Sequence, residues 1–138
     1  MIAFLDTNVL MDVLVQREPF VKDSHAVWTL VNEAQFQGFI SAISFNNVAY
    51  VVRKTESPQK IKQGLRMLRD SFRLVPLDKQ ILNQAIESDW KDFEDAIQYF
   101  SALRAGASSL ITRNTTHFPP GEMAIETPTQ FLAAHFPK

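Results

Sequence analysis

Residues 2–5 read Ile-Ala-Phe-Leu, an unbroken apolar run that Asp6 brings to an end. A strand with one wet face alternates polar and apolar side chains, whereas a strand apolar at every position is buried on both faces, the condition of a parallel sheet covered by helices. From Thr7 the period changes. Val9, Leu10, Val13 and Leu14 recur at helical spacing, with Thr7 placed to cap the helix and Asn8 and Asp12 together on another face, where Asp12 is expected in solvent. The same switch repeats down the chain. Phe20 to Phe36 reads as a second helix stopping near Gly38, and Phe39 to Ala42 as a second strand. Ser44 is placed to cap a helix carrying Val48, Val51 and Val52, and Ser57-Pro58 starts another that runs to about Asp70. Phe72 to Leu77 reads as a strand near a sheet edge, because Pro76 cannot donate to a ladder. Asp78 caps a helix to about Ser88, and Phe93 to Ala105 forms another, closed by Gly106. Ser109 to Thr112 and Met123 to Glu126 read as strands, with Pro128 to His135 as a last helix. Alternation of this kind predicts an α/β fold, a three-layer α/β/α sandwich around a mainly parallel central sheet.

At 138 residues the chain suits a single domain over residues 1–138, and with 46% hydrophobic residues it can hold a core by burial alone. No cysteine is present, which excludes disulfides, thiolate zinc sites and thiol catalysis. The apolar N-terminus lacks a basic leader and carries Asp6 and Asp12, so it is expected to be folded structure and not a signal peptide. No apolar run approaches the roughly 20 residues that span a bilayer. The expectation is a cytoplasmic protein with no membrane partner.

The net charge of −1 hides an uneven distribution. From Arg53 to Arg73 there are seven basic residues against Glu56 and Asp70; from Glu87 to Asp95 there are five acids against Lys91. Lys62, Arg66, Arg69 and Arg73 follow i, i+4, i+7, i+11, so they read as one cationic helix face; a solvated face is the plain reading, but with an acidic cluster elsewhere in the chain a nucleic-acid-binding track for phosphates is the better one.

Ligands of open parallel sheets bind beyond the C-terminal strand ends. Asp6 lies there after the first strand, Asn47 after the second, and Thr112-Arg113-Asn114 after the strand that follows the Phe93–Ala105 helix. Asp92 and Asp95 share one face at that helix's start, with Glu94 beside them. Gathered carboxylates repel one another, and a hard cation such as Mg²⁺ or Mn²⁺ with oxygen ligands relieves the repulsion, pointing to metal-assisted phosphodiester hydrolysis. The plainer alternatives are that Asp6 caps the first helix and that the three acids complement a helix dipole. His117 is expected as a surface residue and not a ligand, since nothing pairs it with His25 or His135 at metal-ligand spacing.

Three separated segments together resemble the PIN domain family. Phe4-Leu-Asp6-Thr-Asn-Val-Leu-Met-Asp12 is similar to the family's opening, and Ile40-Ser-Ala-Ile-Ser44-Phe-Asn-Asn47-Val-Ala-Tyr50 to its middle segment. Asp92-Phe-Glu-Asp95 through Gly106, then Leu110-Ile-Thr112-Arg113-Asn114 and Phe118, is similar to the second half of its site. The resemblance implies metal ligation by Asp6 and Asp95, with Thr7 and Asn8 shaping the turn beneath the ion. Asn47 stands where the family usually has glutamate, Asn114 where many members have aspartate, and His117 where another acid is often found. The candidate catalytic residues are therefore Asp6, Asp95, Asp92 and Asn114, with Thr7, Asn8, Asn47, Glu94 and Thr112 auxiliary. The implied function is that of a Mg²⁺- or Mn²⁺-dependent ribonuclease of the toxin–antitoxin type, acting on RNA, with a small antitoxin partner and homodimerisation. The alternative is a PIN-fold nucleic-acid-binding or regulatory module weakened in catalysis. A third, a doubly wound nucleotide-binding regulator, lacks the Gly-rich phosphate loop it would need among four glycines.

Overall fold

The β1 run of Ile2–Leu5 has dry surroundings on both sides, with Ala3 and Leu5 packed into one core and Phe4 into another. A computed structural model describes residues 1–138, with strands β1, β2 (Gln37–Ser41), β3 (Arg73–Val75), β4 (Ser109–Ile111) and β5 (Ala124–Glu126). Every pairing is parallel, in the order β3-β2-β1-β4-β5. Helices α1 (Thr7–Leu14), α2 (Val21–Asn32), α3 (Ile43–Val52), α4 (Pro58–Ser71) and α7 (Pro128–His135) contribute to the core on one face. Helices α5 (Lys79–Glu87) and α6 (Phe93–Ala105) cover the other. This is the three-layer α/β/α sandwich expected from the alternation, and β3 is an edge strand as Pro76 implied.

The strand order reverses direction between β1 and β4: the chain builds outward from β1 to β3, then returns to β1's other side. A crevice forms at the C-terminal ends of such neighbours, and β1 and β4 meet there, Phe4 facing Leu110 and Leu5 facing Ile111.

Some local expectations change. Helix α2 stops at Asn32, and Ala34 takes a left-handed φ of 58°, which turns the chain toward β2. Phe36 therefore belongs to the connection and not to the helix stripe; it packs on Phe131 and Phe136 at 5.1 and 5.9 Å between ring centres. Gly38 lies within β2 instead of ending the helix. A Cβ there would come within 2.8 Å of Val31 Cγ2 and 3.0 Å of Phe72 Cδ1, so glycine is needed for close approach of helix and strand. Arg73 opens β3 and does not extend the cationic face of α4, leaving Lys62, Arg66 and Arg69 on the helix.

Candidate active site

Neither predicted cap at the start of α1 or α3 acts as one. Asp6 occupies the N-cap position of α1, yet its carboxylate makes no capping bond. Asp6 Oδ2 instead accepts the Thr112 hydroxyl at 2.8 Å, across from the end of β4. Thr7, expected as the cap, turns its hydroxyl to Ser44 at 2.7 Å and accepts from Gln98 Nε2 at 3.2 Å. Ser44 lies inside α3, and Ser41 Oγ meets the Ile43 N–H at that helix's start. Buried hydroxyls join α1, α3 and α6 beneath the crevice, since a hydroxyl removed from water needs a partner. Gln98 was not singled out from the sequence; it sits fully buried on the sheet-facing side of α6.

Asn8 and Thr112 fasten the other wall. Asn8 Nδ2 donates to Thr112 Oγ1 at 3.4 Å, the Arg113 N–H donates to Asn8 Oδ1 at 3.3 Å, and the Asn114 N–H donates to Thr112 Oγ1 at 3.1 Å. Thr112 thus orients Asp6 while its own position is fixed by the turn that follows β4.

Asp12 corrects the expectation of a solvated residue. It is 0% exposed, with Arg113 Nε 2.9 Å from Oδ2, Ser24 Oγ donating to the same oxygen at 3.3 Å, and Arg17 3.8 Å from Oδ1. Burial pushes its carboxyl pKa up, and Arg113, Ser24 and Arg17 pull it back. The Arg113 guanidinium also lies over the Phe20 ring at 4.3 Å. The helical spacing gave the face of Asp12 correctly; what covers that face comes from a residue far along the chain.

At the crevice, Asp6, Asp92, Glu94, Asp95, Asn47 and Asn114 line one cleft of about 390 Å³, joined by Asn8 and Thr7. Lys62, Arg66, Arg69 and Arg73 do not line it, and Arg69 pairs with Asp70 at 2.9 Å. Asp92 caps α6, its Oδ1 accepting the Asp95 N–H at 2.9 Å, so the dipole reading holds for this residue even as it faces the cleft. His117 is exposed, as expected, and places Nδ1 3.2 Å from Asp95 Oδ2.

The electrostatics of the cleft are one-sided. Burial raises the Asp6 pKa to about 6, against the pull of the Thr112 hydroxyl and with a further push from Asp95. Burial and then Asp92 raise the carboxyl pKa values of both Glu94 and Asp95. No lysine or arginine forms an ion pair with Asp6, Glu94 or Asp95. Unneutralised carboxylates with amide oxygens beside them suit a hard divalent cation. No three acidic or histidine side chains gather tightly enough for a closed cage, so a cation would rest on a pair of carboxylates, with water completing its shell.

The chain can be set beside known proteins on this geometry. A family model described as a PIN domain matches residues 3–116. Ribonuclease VapC1 of Aquifex aeolicus (strain VF5) is 24% identical over 123 residues, spanning 86% of this chain and 85% of the relative. Among solved structures, the complex VapBC2 from Rickettsia felis, bound to a DNA fragment from its promoter, contains a chain that superposes with a TM-score of 0.71. That match has 16% identity and covers 92% of this chain and 98% of the other. A chain of a toxin–antitoxin complex from Klebsiella pneumoniae superposes with a TM-score of 0.67 at 25% identity, covering 91% and 97%.

Proposed function

Because this chain belongs to the PIN domain family, we propose that it is a divalent-cation-dependent endoribonuclease, the toxin of a toxin–antitoxin pair, working in the cytoplasm. The observation that carries the reading is that Asp6, Glu94 and Asp95 line one cleft at the β1–β4 crevice, with no basic side chain paired to them except the imidazole of His117. The relative named as a ribonuclease supports RNA as substrate, and the toxin–antitoxin complex supports a small antitoxin as partner. A homodimer is part of the same proposal. No helix is long and apolar enough to cross a membrane.

Asp6 and Asp95 are the residues proposed to hold Mg²⁺ or Mn²⁺. A cation held there would polarise the scissile phosphate and lower the pKa of an attacking water. The chain's own residues do the positioning. Thr112 fixes one oxygen of Asp6; His117 orients Asp95 by its 3.2 Å contact; Asp92 holds the first turn of α6, and with it Asp95, in place. Asn47 and Asn114 present amides to the same cleft, offering oxygen donors without charge. That neutrality favours a second reading, a nucleic-acid-binding module with weakened chemistry.

Incubation of the purified protein with mixed RNA separates the two. Cleavage is expected with Mn²⁺, less with Mg²⁺ and none with chelator, and Asp95→Asn purified in parallel is expected to lose it. RNA retained without cleavage in either metal would favour the binding module, and activity that survives both chelator and Asp95→Asn would belong to a contaminant.

A further inference from the structure

The cleft has a wall that the acidic residues leave unexplained. On α3, one turn beyond Asn46 and Asn47, Tyr50 lines the same cleft with 62% of its surface exposed. Its neighbour Val51, 54% exposed, lines the same cleft, so this wall presents apolar surface to whatever enters it. The Arg53 guanidinium lies over the Tyr50 ring, 3.7 Å from the centroid, and orients it. Beyond Tyr50 on this wall is Arg17, 41% exposed at its side chain. Its contact with Asp12 is a loose 3.8 Å, while Arg113 holds the other oxygen of Asp12 at 2.9 Å.

We propose that Tyr50 is a stacking platform for an unpaired base of the RNA next to the scissile phosphate, with Arg53 and Arg17 meeting the flanking phosphates. The proposal rests on the nuclease reading and adds the residue that would hold the base, which has to be unpaired because a base in a duplex has both faces covered already. The chemistry fits in three respects. An aromatic face accepts any base, and an Arg plane beside it strengthens the stack. A cleft lined with carboxylates repels a polyanion, so binding needs cations nearby; Arg17 lines the cleft, and Arg53 lies over the ring of Tyr50, which lines it too. The helix that carries Tyr50 also carries Asn47, and both line the cleft that holds the acidic residues.

The test uses the full chain in chelator, where no cleavage interferes, and follows the fluorescence anisotropy of a short labelled single-stranded oligoribonucleotide and of its duplex. Tyr50→Ala is expected to weaken single-strand binding by about tenfold, Tyr50→Phe to stay within about twofold, and Arg53→Gln to fall between, all with unchanged melting temperatures. With Mn²⁺, Tyr50→Ala should raise KM and leave kcat near the parent value. Unchanged single-strand affinity in Tyr50→Ala, or an equal loss in Tyr50→Phe, overturns the platform. So does a Tyr50→Ala protein that keeps its affinity but changes its oligomeric state by light scattering, since the face would then belong to a protein contact. Parent protein that binds single strands through Tyr50 yet cuts nothing leaves the platform standing and removes the nuclease; a Tyr50→Ala variant that cuts with the parent's kcat and KM removes the platform and leaves the nuclease standing.

Discussion

Asp6 is where stability and chemistry pull in opposite directions. It is 5% exposed, and burial, opposed by the Thr112 hydroxyl and reinforced by Asp95, lifts its pKa from 3.8 to about 6. The folded chain therefore holds a proton that the unfolded chain has released, so this group destabilises the fold as pH rises from about 4 through about 6. The shift of roughly two units corresponds to roughly 3 kcal/mol as an upper figure. Urea unfolding in chelator is expected to show Asp6→Asn more stable than the parent at pH 7.5 and less dependent on pH between 5 and 7.5; a variant less stable at pH 7.5 would sink this account. The sequence made Asp6 and Asp95 visible because they sit at ends that its periodicities define. The neighbours of Asp12 and Thr7 were not visible, because Arg113 and Ser44 arrive from other elements. Spacing reports which face a side chain takes; it is silent on what the fold lays against that face. For Asp12, the raised pKa says that burial outweighs its arginine partners, as expected of a buried ion pair whose worth lies in fixing geometry more than in net stability.

At the scale of elements, those with a chemical signal at an end are legible. Helix α6 runs from the Asp92 cap to Gly106, whose φ of 71° suits glycine, and α7 starts with a Thr127 capping box followed by Pro128. Helix α2 was overextended because its apolar period continues into Phe36, although that ring packs from an irregular connection; aromatic spacing alone does not distinguish the two. Gly38 was read as a stop signal, and its real duty is to admit Val31 and Phe72 to the surface of β2. Gly38→Ala is therefore expected to cost about 1–3 kcal/mol by overpacking, read as a lower urea midpoint with an unchanged slope; an unchanged midpoint would mean that α2 shifts away without penalty. The cationic face was overextended for a similar reason: Arg73 keeps the helical count by coincidence after α4 has ended at Ser71.

Across the whole molecule, the acidic pole at the crevice and the cations of α4 are separate features. Lys62 and Arg66 border a shallow hollow with Phe45 and Leu65, away from the carboxylates. If that surface meets RNA backbone, Lys62→Gln with Arg66→Gln should weaken binding and flatten its salt dependence by roughly one unit of log–log slope per lost contact. An unaltered slope, measured by anisotropy across a salt series, would make α4 a solvated face. The sheet order carries a different consequence. Thr112, which aims Asp6, lies 106 residues downstream of it, so at a synthesis rate of ~5–20 residues per second the first half of the site waits roughly 5–20 s for the second. A chain still being made thus carries its leading aspartate without the strand that directs it. The site proposed above therefore cannot be complete before the chain has been made past Thr112.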